Sequence, residues 1–329
     1  MNRPSKKPSQ GSGSPIATQA GLVVASFGRH CLVESADGQR RICHPRGKKS
    51  QVVVGDRVQW SSTADEGSIE QVNPRNNLFY RQDELRTKSF ASNLDQILML
   101  VAADPEFSER QLARALIAAE AQNIPVLVVL NKSDLQPAFD RSWQRLAPYR
   151  EMGVEVLPLR LKAETAASSE AGVVELEARL AGKTTLVLGP SGVGKSTLVN
   201  RLVPHASALT GEISRALNSG KHTTTSTTWY WVDPENRVTA LIDSPGFQEF
   251  GLNHIEPMQL AHLMPDLRAR LGHCRFYNCT HLHEPGCEVR SHVSQAAGQA
   301  ETGGDASINA NRYQIYGELF AELSDRRTY

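Results

Sequence analysis

The stretch "LVLGPSGVGKSTLVNRLV", residues 186 to 203, reads as an apolar strand, a glycine-rich turn and the first turns of a helix. Inside it, Gly189, four residues, Gly194, Lys195 and Ser196 have the spacing of a phosphate-binding loop. Glycines let backbone N–H groups close around phosphate oxygens without Cβ clashes. A helix starting near Lys195 adds its positive N-terminal end. In that pattern Lys195 reaches the β- and γ-phosphates and Ser196 takes Mg²⁺, while Pro190, Ser191, Gly192, Val193 and Thr197 complete the cradle. The alternative, a fortuitous glycine-rich turn, explains neither the strand before it nor the helix after it.

Downstream, "ALIDSPGF" places Asp243 at the end of an apolar run. A carboxylate there holds Mg²⁺ through water. Gly246 can offer its N–H to a γ-phosphate. A plain turn after a strand is the competing reading.

Upstream, "VLVVLNKSDL" at residues 126 to 135 ends a second apolar run with Asn131, Lys132, Ser133 and Asp134. Asp134 can accept from the N1–H and exocyclic amine of guanine. Adenine offers neither donor, so the site would favour GTP over ATP. Asn131 can tie this loop to the phosphate loop, and Lys132 can lay its stem on the base. In ordinary GTPases the phosphate loop comes first. Here the order is reversed, as in a circular permutation, which keeps the fold if the original ends lay close together. The closing loop should follow "VEVLP", but "LRLKAE" matches poorly and identifies no residue.

Alternating apolar runs and helical patterns around these motifs predict a parallel sheet covered on both faces. "SERQLARALIAAEAQ" carries a capping box at Ser108 and Gln111. Before this region, short β-rich runs to about Val72 read as a small all-β unit, a five-stranded barrel. Its segment "RRICHPRGKK" gathers Arg40, Arg41, Arg46, Lys48 and Lys49. Such side chains suit phosphates, although a solvated charged loop has the same composition.

The last part of the chain reads as helices around Cys274, Cys279, His281 and Cys287, with a loop over residues 296 to 312. Three thiolates and an imidazole suit tetrahedral Zn²⁺ and leave no open position for catalysis. His273 and His283 are rival ligands, whereas His254 and His262 read as surface residues. Cys31 and Cys43 read as ordinary buried thiols. Five cysteines in 329 residues make no disulfide framework.

Lys plus Arg is 36 and Asp plus Glu is 35, so whole-chain charge argues neither for nor against nucleic acid. The N-terminal "MNRPSKKPSQGSGSP" has no apolar core, so neither a signal peptide nor an ordered element is expected there. No run is long enough to span a membrane. The expected organisation is a tail over 1–19, an OB-like barrel over 20–75, a permuted GTPase domain over 76–250 and a helical zinc-binding domain over 251–329.

Together "NKSD" before "GPSGVGKST", then "GKHTTT" and "DSPG", behind a barrel and before a Cys/His tail, resemble the circularly permuted ribosome small-subunit-dependent GTPase A family. The resemblance spans roughly residues 20 to 329. It implies an OB-fold, a permuted GTPase and a zinc domain, with GTP/GDP, Mg²⁺ and one structural Zn²⁺. It also implies a late assembly factor of the bacterial 30S subunit that binds 16S rRNA, is stimulated by that subunit and is released on hydrolysis. A cytoplasmic monomer is expected. Two other readings stay open, a P-loop ATPase or kinase, and an RNA-binding scaffold using nucleotide only as a conformational ligand.

Many GTPases place a Gln after the Gly of "DxxG" to orient the attacking water. This chain has Phe247 there. His222 is the candidate to handle the water, with an ordinary loop role as the alternative. One of Thr223, Thr224 and Thr225 should meet Mg²⁺ and the γ-phosphate.

Overall fold

The computed structural model describes residues 17–28, 30–46, 51–62, 66–84, 86–162, 166–206, 227–245, 247, 250–294 and 307–325. His222, Thr223, Thr224, Thr225 and Gly246, with Lys48 and Lys49, lie outside them.

Five strands form the N-terminal barrel: β1 (Gln19–Phe27), β2 (His30–Ser35), β3 (Arg40–Pro45), β4 (Arg57–Ser62) and β5 (Gly67–Val72). They pair β1-β2-β3-β5-β4 and close through β1–β4, so the barrel leaves no strand edge within itself. Period-2 alternation sends Val23, Val33, Cys43, Val58, Trp60 and Ile69 inward to a private core. Cys31 and Cys43 face each other across β2 and β3 and are buried thiols, pushed up to about 12 and about 11 chiefly by burial.

A hairpin that the sequence reading did not anticipate follows, β6 (Leu78–Gln82) with β7 (Thr87–Ser92). Asp56 fastens it to the barrel. The Asp56 carboxylate is fully buried and accepts from Arg75 at 2.6 and 2.8 Å, from the Ser92 hydroxyl at 2.6 Å and from the Val53 N–H at 2.9 Å. Asp56→Ala would leave the Ser92 hydroxyl and Val53 N–H without their acceptor and Arg75 with only Gln51 O, and should cost about 2–4 kcal/mol, somewhat below a fully buried broken ion pair. Urea unfolding would show it as a lower midpoint at unchanged slope.

The central domain is one sheet ordered β10-β9-β8-β11-β13-β12. Its strands are β8 (Gln96–Ala102), β9 (Val126–Asn131), β10 (Glu155–Pro158), β11 (Thr184–Leu188), β12 (Thr228–Trp231) and β13 (Ala240–Asp243). All neighbours are parallel except β12, which runs antiparallel to β13. β8 is buried at every position and apolar at all but Gln96, as a strand covered on both faces requires. Helix α1 (Glu109–Glu120) follows β8, and the Ser108 hydroxyl accepts the Gln111 N–H at 3.3 Å, capping it where the sequence predicts. Helices α2 (Ala138–Arg145) and α3 (Ala147–Glu151) come next. Helix α4 (Ala166–Leu180) then links β10 to β11, and α5 (Lys195–Leu202) follows β11.

This order explains the reversed motifs. The phosphate-loop strand β11 still sits mid-sheet, between β8 and β13. The α4 connection joins β10 to β11, and the chain leaves the sheet after β13 instead of crossing to β8.

The C-terminal part is less helical than the sequence reading proposes. It has a 3₁₀ segment (Pro257–Leu263), single turns at Pro265–Arg268 and Glu288–Ser291, and one long helix, Ala310–Asp325. That helix starts inside the predicted loop because the Asn309 side chain accepts the N–H groups of Asn311 and Arg312, at 3.0 and 3.3 Å. Arg312 is then buried, forked onto Asp266 at 2.8 Å twice and lying over the Tyr149 ring. Among the described residues no helix is long and apolar enough to cross a membrane.

Candidate functional site

The register puts Asn131 beside Ala102, Leu188 beside Met99 and Asp243 beside Val187. The three motifs therefore emerge together at the carboxyl edge of the parallel strands, where open α/β sheets bind ligands. A cavity of about 560 Å³ opens there, lined by Asn131, Lys132, Asp134, Pro190, Ser191, Gly192, Gly194, Lys195, Ser196 and Thr197. Motifs some 60 residues apart in sequence thus share one cleft.

Ser133, Gly189 and Val193 are not on its surface. The Ser133 N–H donates to Leu159 O at 3.1 Å, and the Val193 side chain is buried. Gly189 lies against the neighbouring strand, where a Cβ would stand 2.2 Å from Leu100 O. Gly194 has φ +106°, and a Cβ there would meet the Asn131 amide at 2.6 Å. Glycine at that position is thus what lets the two motifs touch. The touch is direct, since Asn131 Nδ2 donates to Val193 O at 2.8 Å.

Asn131 also accepts from the Leu161 N–H at 3.3 Å. Leu161 and Lys162 line the same cavity, and Arg160 Nε stands 3.9 Å from the Asp134 carboxylate. This is the closing loop that the sequence could not assign. It is found by position after β10, because its hydrogen bond to Asn131 comes from a backbone N–H that any residue could carry. Asp134 is solvent-open in the cleft, so its carboxylate would be desolvated only by a base lying on it. Lys132, at φ +64°, donates to the Asp104 carbonyl, which aligns its stem along the cavity wall.

Lys195 Nζ donates to Gly189 O at 3.0 Å. Burial holds its ammonium below the usual lysine range, against the pull of Asp243. Burial likewise pushes Asp243 up, against Lys195, and its Oδ1 is buried without a hydrogen-bond partner. A carboxylate oxygen beside a phosphate loop with no partner among the described residues fits a divalent cation held directly or through water. Ser196, exposed at the same mouth, supplies a hydroxyl for it.

Phe247 is buried and packs with Phe250, 6.0 Å between ring centroids. The residue after the DxxG glycine thus belongs to the core. Around it, Lys88 from β7 donates to Pro245 O at 2.9 Å, and Ser244 pairs with Thr227 at 3.0 Å. Both contacts fall on the variable positions of the DSPG motif, and their partners Lys88 and Thr227 belong to no motif.

In the C-terminal part, donor atoms of Cys274, Cys279, His281 and Cys287 all lie within 4.8 Å of one another. Nδ1 of His281 is 3.5 Å from both Cys274 Sγ and Cys287 Sγ, which are 3.9 Å apart. A tetrahedral zinc ion with bonds of about 2.3 Å to sulfur and about 2.05 Å to nitrogen requires roughly 3.6 and 3.8 Å for these spacings. Burial pushes the Cys279 and Cys287 thiols up, so clustered thiolates need a cation to hold them. The donor set fits zinc. His273 and His283 are exposed and outside the cluster, as is His262. His254 departs from the surface reading. Both its ring nitrogens are buried without hydrogen-bond partners among the described residues, and its ring lies tilted against Tyr80, 4.6 Å between centroids.

A phosphate loop, a guanine-type base loop and a Mg²⁺-suited carboxylate on one permuted sheet define a circularly permuted GTPase. The RsgA GTPase family profile matches residues 72–253. The small ribosomal subunit biogenesis GTPase RsgA of Variovorax paradoxus is 65% identical over 328 residues, covering 99% of this chain and 100% of that protein. Its Burkholderia pseudomallei counterpart is 48% identical over 323 residues, covering 98% of each. The crystal structure of YjeQ from Thermotoga maritima superposes with a TM-score of 0.67 at 27% identity, over 94% of this chain and 99% of that one. The chain belongs to the RsgA GTPase family. It is a GTPase, and the ATPase or kinase reading falls away.

Proposed function

We propose that this GTPase works in maturation of the small ribosomal subunit, binding the 30S particle and its 16S rRNA with GTP and leaving after hydrolysis to GDP. The observation that carries the nucleotide part is the single cleft in which Asn131 joins the base loop to the phosphate loop. The names of its close relatives point to the ribosomal part.

In this reading Asn131, Lys132, Ser133 and Asp134 form the base site. Residues Gly189 to Thr197 and Gly246 take the phosphates, and Ser196 and Asp243 hold Mg²⁺, the latter through water. The ion would neutralise charge between the β- and γ-phosphates. Cys274, Cys279, His281 and Cys287 hold one structural Zn²⁺. The barrel, over 20–75, meets RNA with Arg40, Arg41 and Arg46, and the GTPase and zinc units span 76–250 and 251–329. The protein acts as a cytoplasmic monomer.

With Phe247 in the core, no side chain after the DxxG glycine orients water, so intrinsic turnover is slow and the 30S subunit accelerates it. GTP hydrolysis measured with and without purified 30S subunits tests this. Lys195→Ala should lose turnover altogether, by removing charge at the phosphates. His222→Ala should keep GTP binding and lose only the stimulated rate. A 30S-independent rate would overturn the ribosomal reading. Stimulated turnover equal to wild type in the His222 variant would remove that residue from the chemistry.

A further inference from the structure

A second cluster of metal-ligating side chains lies on the barrel, far in sequence from the Cys/His cluster. The register Cys31↔Cys43 places His30 across from His44 one step outward along β2 and β3. Since Cys31 and Cys43 point inward, strand alternation turns both histidines to the outer face. Their rings meet edge to face with centroids 4.5 Å apart. Glu66, leading into β5, brings its carboxylate onto His44 Nε2. One donor atom from each of His30, His44 and Glu66 falls within 4.8 Å of the others.

We propose that His30, His44 and Glu66 form a divalent transition-metal site of the zinc class, separate from the Cys/His site. The donor chemistry selects the ion. Two imidazoles and one carboxylate suit Zn²⁺, Ni²⁺, Co²⁺ or Cu²⁺, whereas Mg²⁺ and Ca²⁺ prefer all-oxygen shells. An ion pair between His44 and Glu66 uses one imidazole only. The second ring, seated against the first, is accounted for when both donate lone pairs to one cation.

The site is also open. The His44 side chain is 40% exposed and that of Glu66 44%, and His30 is exposed. Three protein ligands leave at least one position for water or an outside donor, unlike the closed four-ligand cluster. Its place in the barrel gives the open position meaning. His30 follows the β1–β2 turn and Glu66 follows the β4–β5 turn, and five-stranded barrels of this topology bind oligonucleotides between those turns and strands 2 and 3. A bound ion there would offer its free position to a phosphate oxygen.

The test uses full-length protein whose C-terminal site is already filled, shown by one zinc per chain after exhaustive dialysis. Zn²⁺ alone is then titrated by calorimetry, with Co²⁺ absorption in parallel. The expected result is a second equivalent, with Co²⁺ bands of a nitrogen–oxygen shell lacking thiolate charge transfer. His44→Ala and Glu66→Gln should each weaken that equivalent by about 10-fold or more, at least the cost of losing a partner one shell further out. The dialysis-resistant zinc should be unchanged in both. The exposed positions make loss of fold unexpected, and thermal melting checks it. Absence of a second equivalent in wild type would overturn the site. So would an equivalent that persists unweakened in a His30→Ala, His44→Ala double variant.

Discussion

Asp134→Asn is expected to convert the nucleotide preference from guanine to xanthine. The carboxylate accepts two hydrogen bonds from guanine, each contributing about 1.5–3 kcal/mol because the acceptor is charged. The asparagine oxygen can still accept N1–H, but its amide faces the exocyclic amine donor to donor, so losing that bond should weaken GTP binding by about 10- to 100-fold, 1.4 kcal/mol being tenfold. The asparagine amide can instead donate to the C2 oxygen that xanthine carries in place of the amine. The substitution leaves the rest of the base loop intact. The Asn131 bridge to Val193 and the Leu161 N–H contact involve neighbouring residues and stay in place. Competition binding with GTP and XTP measures the change, and unaltered GTP affinity would put the base somewhere other than this cleft.

Cys279→Ala should remove the dialysis-resistant zinc and loosen the C-terminal unit as a whole. Apparent zinc binding in structural sites is about 10–16 kcal/mol at neutral pH, and in such sites that binding is folding energy. The ligand loop has few other supports. The Tyr313 hydroxyl donates to His281 O and the Tyr316 hydroxyl to Thr280 O, both at 2.6 Å. Glu284 gathers the Thr280 N–H at 2.8 Å and hydroxyl at 2.6 Å. His281 itself sits at φ +62°, a conformation disfavoured for a side chain with a Cβ and tolerable where coordination holds it. Elemental analysis with limited proteolysis reads the outcome. A variant that keeps its zinc and its protease resistance would mean that Cys279 is not a ligand.

The chemistry was legible in the sequence wherever it depends on residue type at fixed spacing. The phosphate loop, the Asn131–Asp134 motif and the four Cys/His donors are local patterns, recognisable from glycines, a lysine, a carboxylate or thiols at set intervals. Legibility ended where backbone groups or distant partners act. Arg160 to Lys162 reach the base cleft by following β10, with no side-chain signature. The β6–β7 hairpin is pinned by Phe79 and Phe90 against Phe250, residues separated by about half the chain. Strand β12, rich in Trp and Tyr, enters the nucleotide sheet antiparallel, against β13, where the parallel pattern of the other strands gives no cue to it. His254 reads as a surface residue because imidazole usually is one, and only its buried ring nitrogens and its contact with Tyr80 show otherwise. The segment bearing His222 and Thr223 to Thr225 stays as the sequence leaves it.

Strand β12 has a second neighbour. Ala25 of β1 pairs with Thr228, and Glu34 of β2 accepts from the Trp231 indole at 2.7 Å while holding Arg40 at 2.7 Å. The barrel and the nucleotide sheet therefore share one continuous run of strands. Their seam falls on the strand that follows the threonine-bearing segment, so the two halves are not separable modules. A shortened chain beginning after Val72 would strip Thr228 of its Ala25 partner and the Trp231 indole of its Glu34 acceptor, opening that margin of β12. Such a margin invites self-association. Splicing this GTPase behind an unrelated leader would thus require bringing a replacement strand along with it.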